Sequence, residues 1–450
     1  MKIRNIKKIL GYILIWIVLK VNIAEAACDF TIPKNGSYYK DWKIDNTLVR
    51  PWSTICLEPG SRNSLKFVGL QWTKEAPIII KNKWWLVDIE SDTKSSWLSI
   101  SNSRFIVVRW DDKKNLKYGI KAKAPLSAYV INISDWSSDV TVHNVELYGD
   151  SMEDSYAAIW AKTNPSCDSK FVRWKFEMKN IDLHDIYVHD INQWFYVWYT
   201  FFDKPVDCWS KEVRWHTMQW VKIYNNIIER VWQDWLQVSS ATSINESCKI
   251  YNNIFRNTSL KNLNTQKSSI TVWGWSKCDV YNNISINSFW PWILFFWYAG
   301  SIYNNLIVNA WLAWDKVDWI FIDDRSKNKN WTLNIYDNTI INPARNWIRF
   351  YNKEIKNNQI HNNLIVNPWS LKNTPKNHWS IKENWSYIYL EKWRIDRKQI
   401  NNWESILKYL HISLEEKTDN LWLTKITETI LNKIKKSSKF WVNAYREIIQ

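Results

Sequence analysis

The chain has 450 residues and a formal net charge of +16 at pH 7, with 60 Lys and Arg against 44 Asp and Glu. This length is enough to bury a large core. The positive charge favours acidic polysaccharide, nucleic acid or an anionic envelope as a partner, although an AT-rich coding sequence would also raise the Lys content. No phosphate-binding loop, dinucleotide fingerprint, zinc motif or catalytic triad is present, which excludes the enzyme classes that depend on them.

Tryptophan is abnormally frequent and glycine abnormally rare: the chain has 35 Trp and 8 Gly, whereas Gly alone makes up about 7% of an average chain. Many Trp follow Pro, Asp or Asn at predicted turns, where the backbone favours φ > 0 and no Cβ. We therefore predict that most of these Trp are Gly in the native protein, because its host reads UGA as glycine. The alternative is a protein whose many Trp stack on sugar rings. Examples of the turn pattern are Pro51-Trp52, Asp234-Trp235, Pro291-Trp292 and Asp318-Trp319.

Residues 1–27 have the organisation of a signal peptide. Four basic residues lie between Lys2 and Lys8, an apolar run extends from Ile9 to Val21, and the small-residue segment Ala24 to Ala27 resembles a cleavage site. The apolar run is short for a membrane span, so retention as an N-terminal anchor is the lesser alternative. We predict a secreted or cell-envelope protein.

Six Cys in an exported chain favour disulfides, and no Cys-x-x-Cys spacing suggests a metal site. Cys248 and Cys278 occupy the same position in successive copies of the repeat described below, so stacking would bring their Cα atoms within about 4.8 Å. Proximity along the chain alone suggests the remaining pairs, which are Cys28 with Cys56 and Cys167 with Cys208.

A Tyr-Asn-Asn-Ile motif repeats along the chain. Its second Asn falls at 226, 253, 283, 305, 338 and 363, with successive gaps from 22 (305 − 283) to 33 (338 − 305) residues. The shortest gap is one coil of short strands and turns, and the longer gaps are coils with loop insertions. Asn tolerates left-handed turns, and its amide can bond the next Asn one coil away, which predicts a ladder.

The second half of each repeat is a turn residue, Trp, and then alternating apolar positions. This pattern predicts a strand whose alternate residues face a core. One coil cannot bury its own apolar face, so the coils must stack as a solenoid. A generic β-sandwich is the weaker alternative, because its strands would not repeat their sequence in register. The copies begin at Trp194, Trp235, Trp292, Trp319 and Trp347.

These repeats, with Gly where this sequence has Trp, resemble those of the right-handed parallel β-helix proteins of the pectate-lyase-like superfamily, over residues 65–368. The segment Leu70 to Val87 is similar to their early coils. The expected fold is all-β, with residues 28–64 as an N-terminal cap. Residues 369–450 form a C-terminal capping or accessory region, partly α-helical because apolar residues recur at helical spacing between Asn402 and Lys436.

The resemblance implies a monomer that acts on polysaccharide as a lyase or glycoside hydrolase, with no nucleic-acid partner. A non-catalytic surface or adhesion protein that binds glycans is the alternative, because the superfamily includes both kinds. In such folds the substrate lies along the outer face of one sheet. The outward residues of the Trp-led strands that we predict to bind it are Tyr196, Gln237, Phe321 and Tyr351, together with the turn residues Asp234 and Asp318.

Two mechanisms suit this face. A hydrolase needs two carboxyl groups about 5–9.5 Å apart, and Asp234 and Asp318, although placed like an acidic residue of polygalacturonase-type hydrolases, are about three coils apart. A lyase needs a base and a cation, and Asp318, Asp323 and Asp324 could hold Ca²⁺. The catalytic candidates are Asp323, Asp324, Arg325, Arg349 and Lys267, although the first three also suit a solvated turn. By contrast, we predict that His189-Asp190 and Glu229-Arg230 are surface charges, and that His184 and His361 are structural.

Overall fold

The computed structural model describes Tyr387–Tyr389 and most of residues 28–366. Within that span it leaves out residues 37, 41–42, 45–46, 63, 84, 91–95, 111–117, 126–127, 150–156, 163–176, 198–205, 209–210, 214–216, 233–235, 240, 242–245, 261–267, 275, 289–291, 297–298, 309–318, 324–331, 342–347, 351–357 and 362. The predicted signal peptide, Cys167 and nearly all of the predicted C-terminal region therefore lie outside the described residues.

Three long sheets run side by side along the molecule, and every pairing within them is parallel. Each coil contributes one strand to each sheet in turn, which is the architecture of the predicted right-handed parallel β-helix. The first sheet holds the Tyr-Asn-Asn strands. It consists of β1 (Phe30–Ile32), β5 (Thr54–Leu57), β8 (Ile78–Asn82), β11 (Arg104–Arg109), β14 (Ser138–His143), β18 (Ile181–His184), β24 (Lys222–Tyr224), β27 (Cys248–Tyr251), β30 (Lys277–Tyr281), β33 (Ala299–Tyr303), β36 (Leu333–Tyr336) and β39 (Gln359–His361).

The second sheet follows the Asn turn of each coil. Its strands are β6 (Gly60–Arg62), β9 (Val87–Ile89), β12 (Ile120–Lys123), β15 (Val145–Tyr148), β19 (Tyr187–Ile191), β25 (Ile227–Val231), β28 (Ile254–Thr258), β31 (Ile284–Ser288), β34 (Leu306–Val308), β37 (Thr339–Ile341), β40 (Asn363–Val366) and β41 (Tyr387–Tyr389).

The third sheet holds the Trp-led strands. They are β2 (Tyr38–Lys40), β7 (Leu65–Val68), β10 (Leu98–Ser101), β13 (Ile131–Ser134), β16 (Ala157–Ala161), β20 (Gln193–Val197), β26 (Leu236–Ser239), β29 (Ile270–Trp273), β32 (Ile293–Phe296), β35 (Ile320–Asp323) and β38 (Ile348–Phe350). Three small pairs complete the described strands: β3 (Lys43–Ile44) with β4 (Thr47–Leu48), β17 (Glu177–Lys179) with β23 (Thr217–Gln219), and β21 (Val206–Cys208) with β22 (Lys211–Val213).

The two Asn of the repeat have separate functions. The first adopts a left-handed conformation, with φ of 56° at Asn225 and Asn252 and 55° at Asn282, and so turns the chain from the first sheet into the second. The second Asn is buried, and its side-chain amide bonds the equivalent Asn of the next coil, as between Asn226 and Asn253 at 2.9 Å. The predicted ladder is therefore present, and it extends over all six copies of the motif.

The core is a column of aliphatic side chains inside the three sheets. Alternate residues of each strand point inward, and the β-branched residues at these positions are almost completely buried, including Ile223, Ile250 and Val280. Their outward neighbours form matching rows, such as Tyr224, Tyr251 and Tyr281, whose rings stack at 4.8 and 5.0 Å. Because identical positions pair in register, each coil buries the apolar face of the one before it.

Two of the predicted disulfides are present. Cys248 pairs in register with Cys278, with a Cα–Cα distance of 4.4 Å, and Cys28 bonds Cys56. Parallel pairing already begins at Phe30, within the segment predicted as an N-terminal cap. In the part of the chain that the structure describes, no helix has the length and apolar character needed to cross a membrane.

Candidate functional site

The outer face of the third sheet contains the predicted substrate-binding row. Tyr196 pairs with Gln237, and the same register leads through β29 and β32 to Phe321 and then Arg349. The intervening residues of these strands, such as Phe195 and Val238, point into the core. The row from β16 to β38 takes six inter-strand steps, or about 29 Å at about 4.8 Å each, which is long enough for several sugar units.

The predicted catalytic group is only partly described. Asp323 ends β35 and pairs with Phe296, whereas Arg349 pairs with Phe321. Arg349 and Asp323 therefore lie on adjacent coils but two positions out of register. The other six predicted site residues lie outside the described part of the chain, so their roles stay predictions: Asp324, Arg325, Lys267, Tyr351, Asp234 and Asp318.

Calcium binding also stays a prediction, because two of its three proposed ligands, Asp318 and Asp324, are among those residues. Among the residues that the structure does describe, no three His, Cys, Asp or Glu side chains converge as they would around a metal ion.

A buried lysine on this face was missed by the sequence analysis. Lys162 follows β16 directly, and its residue is only 8% exposed. Its Nζ lies 4.6 Å from the ring centroid of Trp160 and 5.8 Å from that of Tyr196. Desolvation lowers the pKa of its ammonium group to about 8. The only signal in the sequence was a Lys in the outward phase at the end of an alternating strand, which is too common to single out.

Aromatic rings surround Lys162 in the same row. The Trp160 ring stacks on Tyr129 at 4.1 Å and on Tyr196 at 4.3 Å. Because β16 lies between β13 and β20, the two tyrosines approach the indole from opposite coils. An amine with a pKa of about 8 beside aromatic rings is suited to accept a proton from a bound sugar once it is deprotonated.

A second group of polar side chains lies on the outer face of the second sheet. We call it the ionic cluster, and it spans five consecutive strands. The His189 ring bonds Glu146 through Nε2 at 3.1 Å and Asp190 through Nδ1 at 2.7 Å. Arg230 donates two hydrogen bonds to Asp190, at 2.6 and 2.7 Å. Its other members are Lys121, Glu229 and Arg256.

Among these residues, His189-Asp190 and Glu229-Arg230 were predicted from the sequence to be surface charges. Instead they are partly buried and mutually bonded, because His189 pairs in register with Glu229 and the side chains meet between coils. Asp190 and Arg230 both have positive φ, 53° and 50°, which is uncommon for Arg. A conformation of this kind costs about 1–3 kcal/mol and persists only where surrounding contacts enforce it.

Tyr118 packs beside the ionic cluster, at the end of a longer connection between the first and second sheets. In the later coils two residues link the first and second sheets, as between Tyr224 and Ile227, but residues 110–119 separate β11 from β12. Tyr118, at the end of this insertion, stacks on Tyr187 at 5.9 Å. Burial and the neighbouring Tyr187 raise the pKa of Tyr118 well above its usual range.

The charges of the cluster favour the protonated form of His189. Burial opposes that charge, but the hydrogen bonds to Glu146 and Asp190 outweigh it and raise the pKa of His189. Burial likewise would raise the pKa of Glu146 and Asp190, but the bonds from His189, Lys121 and Arg230 lower both. In the protonated form both ring nitrogens donate, and His189 then ties the coil of Glu146 to its own.

The stability of the protein should therefore depend on pH through His189. A histidine whose pKa is raised in the folded state stabilises the fold at pH values below its pKa in the unfolded state, about 6.5. That contribution is lost as the pH rises through the pKa of the folded state. The pH dependence that comes from Glu146 and Asp190 has the opposite sign. Their lowered pKa values stabilise the fold at neutral pH, and this contribution is lost as the pH falls below about 4. We expect the thermal midpoint to fall by about 1 °C between pH 6 and pH 9, for a contribution of about 1 kcal/mol.

Thermal denaturation of His189→Asn across this pH range provides the test. The variant should lose that part of the pH dependence, whereas His184→Asn, which leaves the ionic cluster intact, should keep it. Equal pH dependence in wild type and His189→Asn would contradict the assignment.

The three stacked sheets define the chain as a parallel β-helix protein with a row of equivalent outward positions along its third sheet. No family model and no curated protein matches its sequence. Its fold is similar to that of an alginate lyase from Paenibacillus sp. str. FPU-7, with 13% identity, a TM-score of 0.45, and coverage of 69% of this chain and 94% of that one.

A GH136 lacto-N-biosidase from Eubacterium ramulus has 10% identity and a TM-score of 0.47, with 80% of this chain and 68% of that one covered. A PL6 family polysaccharide lyase from Pseudopedobacter saltans has 12% identity and a TM-score of 0.36, with 80% and 91% covered. At such identities the likeness concerns the fold alone.

Proposed function

We propose that the protein is exported and cleaves an acidic polysaccharide by β-elimination along the outer face of the third sheet. The observation that carries this proposal is Lys162, a buried amine with a pKa near 8 above an aromatic row. The signal-peptide pattern of residues 1–27 and the net charge of +16 support export and an anionic substrate.

The chemistry requires a base beside a uronate ring. Neutral Lys162 would take the proton from the carbon next to the carboxylate. The electron pair then forms a carbon–carbon double bond as the glycosidic C–O bond breaks, and the leaving oxygen takes up a proton. A lysine is suited to this step only when its pKa is lowered by burial. Cations that would neutralise the substrate carboxylate are among the predicted residues Lys267, Arg325 and Arg349, or a Ca²⁺ ion on the predicted aspartates.

A glycoside hydrolase is less well supported. It needs two carboxyl groups about 5–9.5 Å apart. Among the described strands of the third sheet, Asp323 is the only carboxylate-bearing residue. The polar outward-facing residues closer to Lys162 are Tyr196 and Gln237, and neither of them carries a carboxyl group.

Incubation with a polyuronate tests the proposal. A lyase produces a double bond conjugated with a carboxylate, so ultraviolet absorbance should rise with time, and a neutral glucan should give no signal. Because the base must be uncharged, the rate should increase as pH rises towards and through about 8. Binding of the polyuronate without any rise in absorbance would contradict the lyase and favour the alternative, a surface protein that binds glycans.

A further inference from the structure

Two tryptophans occupy turns that require glycine. Residues 50–53 form a turn closed by a hydrogen bond from Ser53 N to Arg50 O at 3.1 Å, with φ of 64° at Trp52. Pro at the second position and φ > 0 at the third define a type II turn, whose third residue is Gly or Asn. A second turn, closed from Ser137 N to Ser134 O, has φ of 49° and 63° at its two central residues, Asp135 and Trp136.

Two consecutive positive φ angles are those of a type I′ turn, which strongly favours Asn-Gly and Asp-Gly. The chain has Asp-Trp there. Trp220 is a third case, with φ of 55° immediately before the buried Val221. For a residue with a Cβ, and above all a bulky one, this region is sterically unfavourable.

A different group of tryptophans lies at one corner of the coils, immediately before the strands of the third sheet. Trp97, Trp292 and Trp319 are completely buried, and their indole N–H groups have no hydrogen-bond partner. A buried N–H without a partner is costly. In other coils the equivalent corner position holds the small residues Ala158 and Ser269. In a further coil the same position holds Val130. Residues without an indole N–H therefore fill this corner in three described coils, and they leave no such group without a partner.

We infer that the tryptophans at these turns and corners are glycine in the protein that its native host makes, with the UGA codon read as glycine. Glycine removes the Cβ where φ is positive and removes the buried indole N–H at the corners. The composition agrees with this inference. The chain has 35 Trp and 8 Gly, and if most of the Trp are Gly, the protein has an ordinary Gly content and only a few Trp.

Peptide masses from the native host test the inference. Peptides that cover residues 52, 136, 220, 292 and 319 should each be lighter by the difference between Trp and Gly, and the corresponding codons should be UGA. Trp in these peptides would overturn the inference.

Recombinant chains give a second, independent measurement. Trp52→Gly and Trp136→Gly should each raise the thermal midpoint by roughly 1–3 °C. The matched control is Trp85→Gly, which is exposed and has no positive φ, and should not raise it. No rise for either turn variant would also count against the inference.

Discussion

Replacing Asn283 by Ala should lower the free energy of unfolding by roughly 3–6 kcal/mol. Its side-chain Nδ2 donates to Asn305 Oδ1 at 3.1 Å and to Ile250 O at 3.0 Å. Its Oδ1 accepts from the main-chain N–H and the amide of Asn253, at 3.0 and 2.9 Å. All of these groups are buried, so an Ala leaves partners on both neighbouring coils without a bond, and each such group costs about 1–3 kcal/mol.

Two further variants separate hydrogen bonding from packing. Asn283→Asp keeps the shape but loses both donated bonds and places a carboxylate in the core, so we expect at least the same loss. Asn334→Ala, on the outer face of the first sheet, is the control and should change stability by no more than about 0.5 kcal/mol. Urea denaturation followed by circular dichroism measures all three. A loss below about 1 kcal/mol for Asn283→Ala would show that the ladder contributes little to stability.

The sequence predicted the fold well because the repeated residues contact one another in the folded protein. A fixed Asn, a fixed Tyr and alternating apolar residues can satisfy one another only if equivalent positions stack, as Tyr251 and Tyr281 do. The pairing of Cys248 with Cys278 and the outward row from Tyr196 to Arg349 follow from the same register. The sequence did not show that the two adjacent Asn have different roles, in which the first forms the turn and the second forms the ladder.

The candidate site was less predictable. Lys162 is a single residue at the end of a degenerate coil, and its low pKa arises from burial, which periodicity does not reveal. The bonding within the ionic cluster was not predicted, for a related reason. His189-Asp190 and Glu229-Arg230 are ordinary charged pairs along the chain, and only the stacking of β19 on β25 brings them together.

Replacing Lys162 by Met should reduce kcat/KM on a polyuronate by about 10²–10⁴, the range for loss of a general base. Met keeps the apolar length of the side chain, so stacking on Tyr196 and substrate affinity should change little. Lys222→Met is the matched control, since it removes the same charge from the outer face of the first sheet and should leave kcat/KM unchanged.

Lys162→Arg then distinguishes a base from a simple cation. Arg keeps the positive charge but cannot be deprotonated near neutral pH, so a base role predicts that this variant is as inactive as Lys162→Met. In the wild type, kcat/KM should rise with pH and level off above about 8, because only the uncharged amine can accept the proton. Activity in Lys162→Arg would make Lys162 an anchor for the substrate carboxylate, and activity in Lys162→Met would place the base elsewhere on the face. Either result would reject Lys162 as the base. If Lys162 is the base, activity must be lost in both variants, because neither side chain can accept a proton near neutral pH.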